Sequence, residues 1–173
     1  MFFNNIKNDF CYILATFFGV GFFPKASGTI ASIVIALIWY LVPEHVFYNS
    51  LDKVIFYDRF LYMFAILILL TYIGAYVSKV SETKFGYDSK VIVFDEIIGY
   101  LCAVLFLPKT LMVAIYAFVL FRLFDIMKPL YINKLQSVPK GWGVMLDDVA
   151  AGFTANIILQ LLFLIRKDFF III

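Results

Sequence analysis

Phe60-Leu-Tyr-Met-Phe-Ala-Ile-Leu-Ile-Leu-Leu-Thr-Tyr-Ile-Gly-Ala-Tyr-Val77 contains no charged residue. A helix crossing the ~30 Å hydrocarbon core of a bilayer needs about 20 consecutive apolar residues. This stretch comes close to that length by itself and reads as a membrane-spanning helix. Four more apolar stretches lie around it. Thr29–Val42 stops at Pro43, Val91–Leu107 is interrupted only by Asp95 and Glu96, Leu111–Met127 only by Arg122 and Asp125, and Val149–Ile165 is uncharged. Phe10–Phe23 is apolar but short, and reads as an interfacial or re-entrant segment. Met1–Asp9 is polar and lacks a small-residue cleavage site, so a cleaved signal peptide is not expected. The expected fold is all-α. Residues 1–173 form one polytopic membrane domain, a compact bundle of about five embedded helices plus the N-terminal segment.

Composition agrees. Of 173 residues, 64% are hydrophobic and 15% charged, and the mean hydropathy is +0.98. Soluble domains are nearer half apolar and one quarter charged, so part of this surface needs lipid as its solvent. Disorder is excluded by the same numbers. A net charge of +2 is too small for electrostatic binding of nucleic acid. Cys11 and Cys102 both lie in apolar runs and form no CxxC pair, which argues against a zinc site or a disulfide framework. Gly19-Val-Gly21 has neither the third glycine nor the preceding strand of a dinucleotide site.

Threading the apolar stretches through a bilayer gathers the polar motifs on one face. That face carries Lys25, Lys79, Lys84, Lys90, Arg122, Lys128, Lys134 and Lys140, against Lys53, Arg59, Lys109, Arg166 and Lys167 on the other. The richer face is expected to be cytoplasmic by the positive-inside rule.

Three charged constellations lie on it. Asp95-Glu96 sits in Val91-Ile-Val-Phe-Asp-Glu-Ile-Ile-Gly99. Adjacent carboxylates among apolar residues are functional candidates in a membrane protein, although they could simply complement a helix dipole. Arg122, Asp125 and Lys128 sit in Phe121-Arg-Leu-Phe-Asp-Ile-Met-Lys-Pro129. Arg122 and Asp125 can pair on one helix face, Lys128 can snorkel, and Pro129 should end the helix near Lys128. Asp147-Asp148 sits in Gly141-Trp-Gly-Val-Met-Leu-Asp-Asp-Val-Ala-Ala-Gly152. Two acid pairs on one face suit a hard divalent cation such as Mg²⁺, commonly shared with a substrate phosphate. Lys25, Arg122 and Lys128 would meet the phosphate charge. Pro24-Lys-Ala-Ser-Gly-Thr29 precedes a helix that Ser27 or Thr29 could cap, and such an end favours anions.

Several phosphatase chemistries lack their residues. The only histidine, His45, falls on the opposite face, which removes a histidine nucleophile and a Ser/His/Asp triad. Neither cysteine has an arginine six positions on, and no Asp-x-Asp occurs.

From about Phe17 to Phe163 the chain resembles the bacterial phosphatidylglycerophosphatase A family. Four motifs carry the resemblance in order: Ser27-Gly28-Thr29 in place of Pro-Gly-Thr, Val93–Gly99, Phe121–Pro129 and Gly141–Gly152. Asp88 also falls where the family pattern has an aspartate. Ser27, Tyr131 and Lys140 depart from the pattern, and no departure removes a carboxylate or Arg122. The resemblance implies hydrolysis of phosphatidylglycerophosphate to phosphatidylglycerol and phosphate, with Mg²⁺, at the bacterial inner membrane. On that reading Asp95, Glu96, Asp147 and Asp148 are metal ligands. They are the catalytic set together with Arg122 and Asp125. Lys25, Gly28, Thr29, Arg122 and Lys128 bind substrate. A small transporter with intramembrane acids would spread its charges through the membrane depth, and a structural subunit would need no carboxylate cluster. A CDP-alcohol phosphotransferase pattern begins with Asp-Gly, a dipeptide this chain lacks.

Overall fold

The computed structural model describes residues 2–43, 55–139 and 141–166. His45, Lys53, Lys140 and Lys167 therefore lie outside the described residues. Those residues form seven α-helices and no strand: α1 (Phe2–Ala15), α2 (Ser27–Leu41), α3 (Ile55–Phe85), α4 (Phe94–Ala103), α5 (Leu111–Met127), α6 (Leu130–Gln136) and α7 (Trp142–Ile165), with a single 3-10 turn at Val20–Phe22.

Two helices are long and apolar enough to cross a membrane: Leu61–Phe85 within α3 and Trp142–Ile165. At 1.5 Å per residue α7 is about 36 Å long, more than the hydrocarbon thickness. Leu61, Ile66, Ile68 and Leu69 on α3 and Ile157, Leu161 and Leu164 on α7 are exposed. Apolar side chains of that size turned outward on a long helix are in their proper solvent in lipid, where the helix satisfies its own backbone groups.

The apolar run Val91–Leu107 becomes a helix only from Phe94 to Ala103. Ten residues reach about 15 Å, so α4 does not span by itself. It is buried nearly throughout and packs against α2, α3, α5 and most extensively α7. It reads as the bundle's core rather than as one of its lipid-facing staves. Burial by neighbouring helices produces the same unbroken apolar run as burial by lipid. α6, which was not expected, packs on α7. Phe10–Phe23 is broken after Ala15 by Phe17, Phe18 and Gly19 at positive φ, and α1 starts earlier, at Phe2, with α3 as its packing partner.

α5 ends as Pro129 requires. Lys128 is the C-cap, at φ 38, and its N–H donates to the Phe124 carbonyl. Asn156 on α7 closes the other end of α4: its Nδ2 donates to the Ala103 and Leu105 carbonyls at 3.0 and 2.7 Å. Those carbonyls have no intrahelical partner past a helix C-terminus.

Candidate active site

α4 and α7 cross at two glycines. A Cβ on Gly152 would stand 2.1 Å from the Gly99 carbonyl oxygen, and one on Gly99 would stand 2.9 Å from the Asp148 carbonyl oxygen. Only glycine allows the two backbones to come this close, the packing that small residues permit between apolar helices. Asp95 lies one turn before Gly99, and Asp148 one turn before Gly152. The crossing therefore carries the acids of two distant motifs into one place.

Asp95, Glu96 and Asp148 each present a carboxylate oxygen, all within 4.8 Å of one another. Asp95 and Asp148 are buried, and Asp95 Oδ1, Glu96 Oε2 and Asp148 Oδ2 have no hydrogen-bond partner. The N-cap of α4 is Val93 and neither acid is the cap residue, but both stand in the helix's first turn, where carboxylates complement the helix dipole. Asp147–Asp148 is not a cap either, because α7 begins at Trp142 and the pair lies in its second turn. Burying several carboxylates with free oxygens is costly unless a cation compensates them.

Asp147 turns away from that group. Its Oδ2 accepts from Lys128 Nζ at 2.6 Å, which ties the end of α5 to α7. Burial lowers the Lys128 pKa, but its hydrogen bond to Asp147 and the charges of Asp147, Asp148 and Asp125 outweigh burial, so the net shift is upward. Lys128 thus stays charged and already paired. Arg122 Nη1 lies 2.7 Å from Asp125 Oδ2. The contact is an ion pair without hydrogen-bond geometry, and Arg122 Nε and Nη1 lack an acceptor. Arg122 and Asp125 stand within electrostatic range of Glu96, and Asp125 also of Asp148.

α2 reaches the same place from the other side. A Cβ on Gly28 would stand 1.9 Å from Glu96 Oε1, so the Glu96 carboxyl occupies the space a side chain would take. Neither Ser27 nor Thr29 caps α2. The N-cap is Ala26, at φ 55, without a side-chain bond. The Ser27 hydroxyl instead donates to the Lys90 carbonyl at 2.5 Å, fastening the segment before α4 to α2. Thr29 is half-buried and Lys25 is exposed on the preceding loop. Asp88, at φ 49, accepts from Gln136 Nε2 at 2.7 Å, which joins that same segment to α6. The roles of Asn156, Gln136 and the hydroxyl of Ser27 escape a sequence reading. The one available signal is the glycine four residues after Asp95 and after Asp148.

Buried carboxylates beside the Arg122 guanidinium make a site that could hold a cation and an anionic group. The comparisons with known proteins supply the class, a lipid phosphatase, and refine it. The family model for phosphatidylglycerophosphatase A matches residues 13–163, which include all four motifs. A Bacteroides thetaiotaomicron protein named putative phosphatidylinositol-3-phosphatase is 33% identical over 155 residues, covering 85% of this chain and 89% of its own. The phosphatidylglycerophosphatase A of Escherichia coli is 31% identical over 144 residues, 82% of this chain and 76% of that one. The Haemophilus influenzae phosphatidylglycerophosphatase A is 30% identical over 150 residues, 85% of each. No solved structure matches. The chain belongs to the phosphatidylglycerophosphatase A family.

Proposed function

We propose that the protein hydrolyses the terminal phosphate monoester of phosphatidylglycerophosphate, with Mg²⁺, at the cytoplasmic face of a bacterial inner membrane. The observation that carries this reading is the set of unpartnered oxygens on Asp95, Glu96 and Asp148 beside the unsatisfied donors of Arg122.

The donor set fits a hard divalent cation, because it is all oxygen and only Arg122, itself paired with Asp125, brings positive charge near it. The three carboxylate oxygens lie within 4.8 Å of one another, and the side chains would draw together to share one ion. Asp95, Glu96 and Asp148 would hold the ion, with Asp147 second in line if Lys128 released it. Mg²⁺ in such a place neutralises phosphate charge and acidifies a bound water.

The rest falls to the chain itself. Arg122 Nε and Nη1 donate to non-bridging phosphate oxygens, an electrostatic role that strengthens as charge develops. Asp125 holds the guanidinium in place. The first N–H groups of α2, at Ser27, Gly28 and Thr29, have no intrahelical acceptor and face an anion favourably, and Lys25 adds charge from the loop. Lys128 and Asp147 keep α5 and α7 in register around the site. The basic residues expected on the face of these motifs, eight against five, support the cytoplasmic orientation.

A second headgroup is favoured by the name of the Bacteroides relative, "putative phosphatidylinositol-3-phosphatase". Both lipids offer a phosphate monoester on a hydroxylated headgroup. The test is phosphate release in detergent from phosphatidylglycerophosphate, phosphatidylinositol 3-phosphate and phosphatidic acid, with Mg²⁺ and with chelator. The proposal expects the first lipid to be fastest and the chelator to abolish release. Undiminished release in chelator would remove the metal from the mechanism.

A further inference from the structure

α2 and α5 leave a groove between them, with a volume of about 190 Å³. Ile33 and Leu37 of α2 form one wall, Ile115 and Phe118 of α5 the other, and Ala36 and Ala114 the floor. No charged residue lines it. The groove has a direction. α2 starts beside Glu96 at Gly28, and Ile33 lies five residues on, about 7.5 Å along the axis. α5 runs the other way and ends at the site, with Phe118 one turn, about 6 Å, before Arg122. Both walls therefore begin just below the carboxylates and run away from them. At the head of the groove stand Arg122, with two unsatisfied donors, and the N-terminus of α2.

We propose that this groove is the acyl-chain subsite of the enzyme, seating one fatty chain of the anionic lipid whose phosphate reaches Arg122. This rests on the phosphatase reading above and deepens it. The occupant follows from the two ends. An apolar channel alone would take any hydrocarbon, but one with the Arg122 guanidinium at its head, paired to Asp125 and with Nε still lacking an acceptor, favours an amphiphile with an anionic head. The headgroup between a chain and the terminal phosphate, two glycerols joined by a phosphodiester, is long enough to bridge the roughly 6 to 8 Å between the first groove residues and the site. Ile33, Leu37 and Ile115 are exposed, so a chain can enter sideways from the bilayer without the helices parting.

The experiment narrows the groove with Leu37→Trp, Ile115→Trp and Ala36→Phe. Ile68→Trp on α3 and Ile157→Trp on α7, both exposed and away from the groove, serve as controls. Each is assayed on dioleoyl phosphatidylglycerophosphate and on its deacylated headgroup, glycerophosphoglycerophosphate. The expected result is a KM about tenfold higher on the diacyl lipid, the effect of losing burial for about two methylenes. kcat is preserved, kinetics on the chainless ester are unchanged, and neither control moves. The two exposed-site variants keep the test valid if Ala36→Phe does not fold. Equal KM in groove and control variants overturns the proposal, and so does equal loss on both substrates. If the wild type releases phosphate from neither, the phosphatidylglycerophosphate reading fails and the groove is judged by binding. Dibrominated phosphatidic acid should then quench the tryptophan of Leu37→Trp more than dibrominated phosphatidylcholine does, with no such difference for Ile68→Trp. Indifference to headgroup at both positions overturns the subsite.

Discussion

Gly28→Ala separates the chemistry of this site from the stability of its frame. The new Cβ would lie 1.9 Å from Glu96 Oε1 and 2.8 Å from Glu96 Cδ, and ordinary contact begins at 3.4 Å. The carboxyl must retreat by about 1.5 Å, which changes its position relative to Asp95 and Asp148. Misplacing a reacting group by about 1 Å can cost about 100-fold in rate, so kcat should fall by that much or more. Stability should hardly change. The group that moves is the free end of a flexible side chain, and alanine in a helix is favoured over glycine by about 0.5–1 kcal/mol. The contrast is Gly152→Ala, whose Cβ would meet the Gly99 carbonyl oxygen at 2.1 Å. Backbone cannot rotate away, and overpacking costs about 1–3 kcal/mol, or roughly 2–12 °C in Tm at this chain length. The assay pairs phosphate release with thermal unfolding in the same detergent. Glu96→Asp in the Gly28→Ala background withdraws the carboxyl, so the double variant should depart from additivity. A Gly28→Ala protein with wild-type Tm and more than a third of wild-type kcat would refute the placement of Glu96 at the reacting centre.

Asp95→Asn and Asp148→Asn should each lower turnover by at least about 100-fold with expression and Tm retained, and Asp148→Asn should also raise the Mg²⁺ concentration needed for half-maximal activity. Wild-type turnover in both would remove the cluster from the mechanism. Lys128→Met leaves the Asp147 carboxylate buried and unpaired and should destabilise the protein by about 3 kcal/mol. Adding Asp147→Leu should recover much of that in a denaturation series, whereas a double variant no better than the single would show that the pair is not the cause. Asn156→Leu strips the Ala103 and Leu105 carbonyls of their donor and should cost about 2–3 kcal/mol, read as a lower Tm with KM unchanged.

The sequence announced helices wherever a long apolar run had a single cause. Leu111–Met127 matches α5 to the residue, and Pro129 marks its end because the residue before a proline disfavours helix. The Phe60–Val77 core of α3 was equally legible. Val91–Leu107 was not. Its apolar character comes from packing inside the bundle, and periodicity alone does not distinguish a protein interior from a bilayer.

Alone, the sequence determined the lipid-length apolar runs, the all-α class and a short set of candidate charged residues, because each follows from local composition and spacing. Tertiary structure decided which of them work together. Asp95, Glu96 and Asp148 meet because Gly99 and Gly152 let two backbones cross at a distance any larger residue would forbid. Asp147, adjacent to Asp148 in the chain, goes to Lys128 instead. Neighbouring residues on a helix point about 100° apart, so each of the two carboxylates takes its partner from a different helix. Only the packing of α4, α5 and α7 supplies those partners.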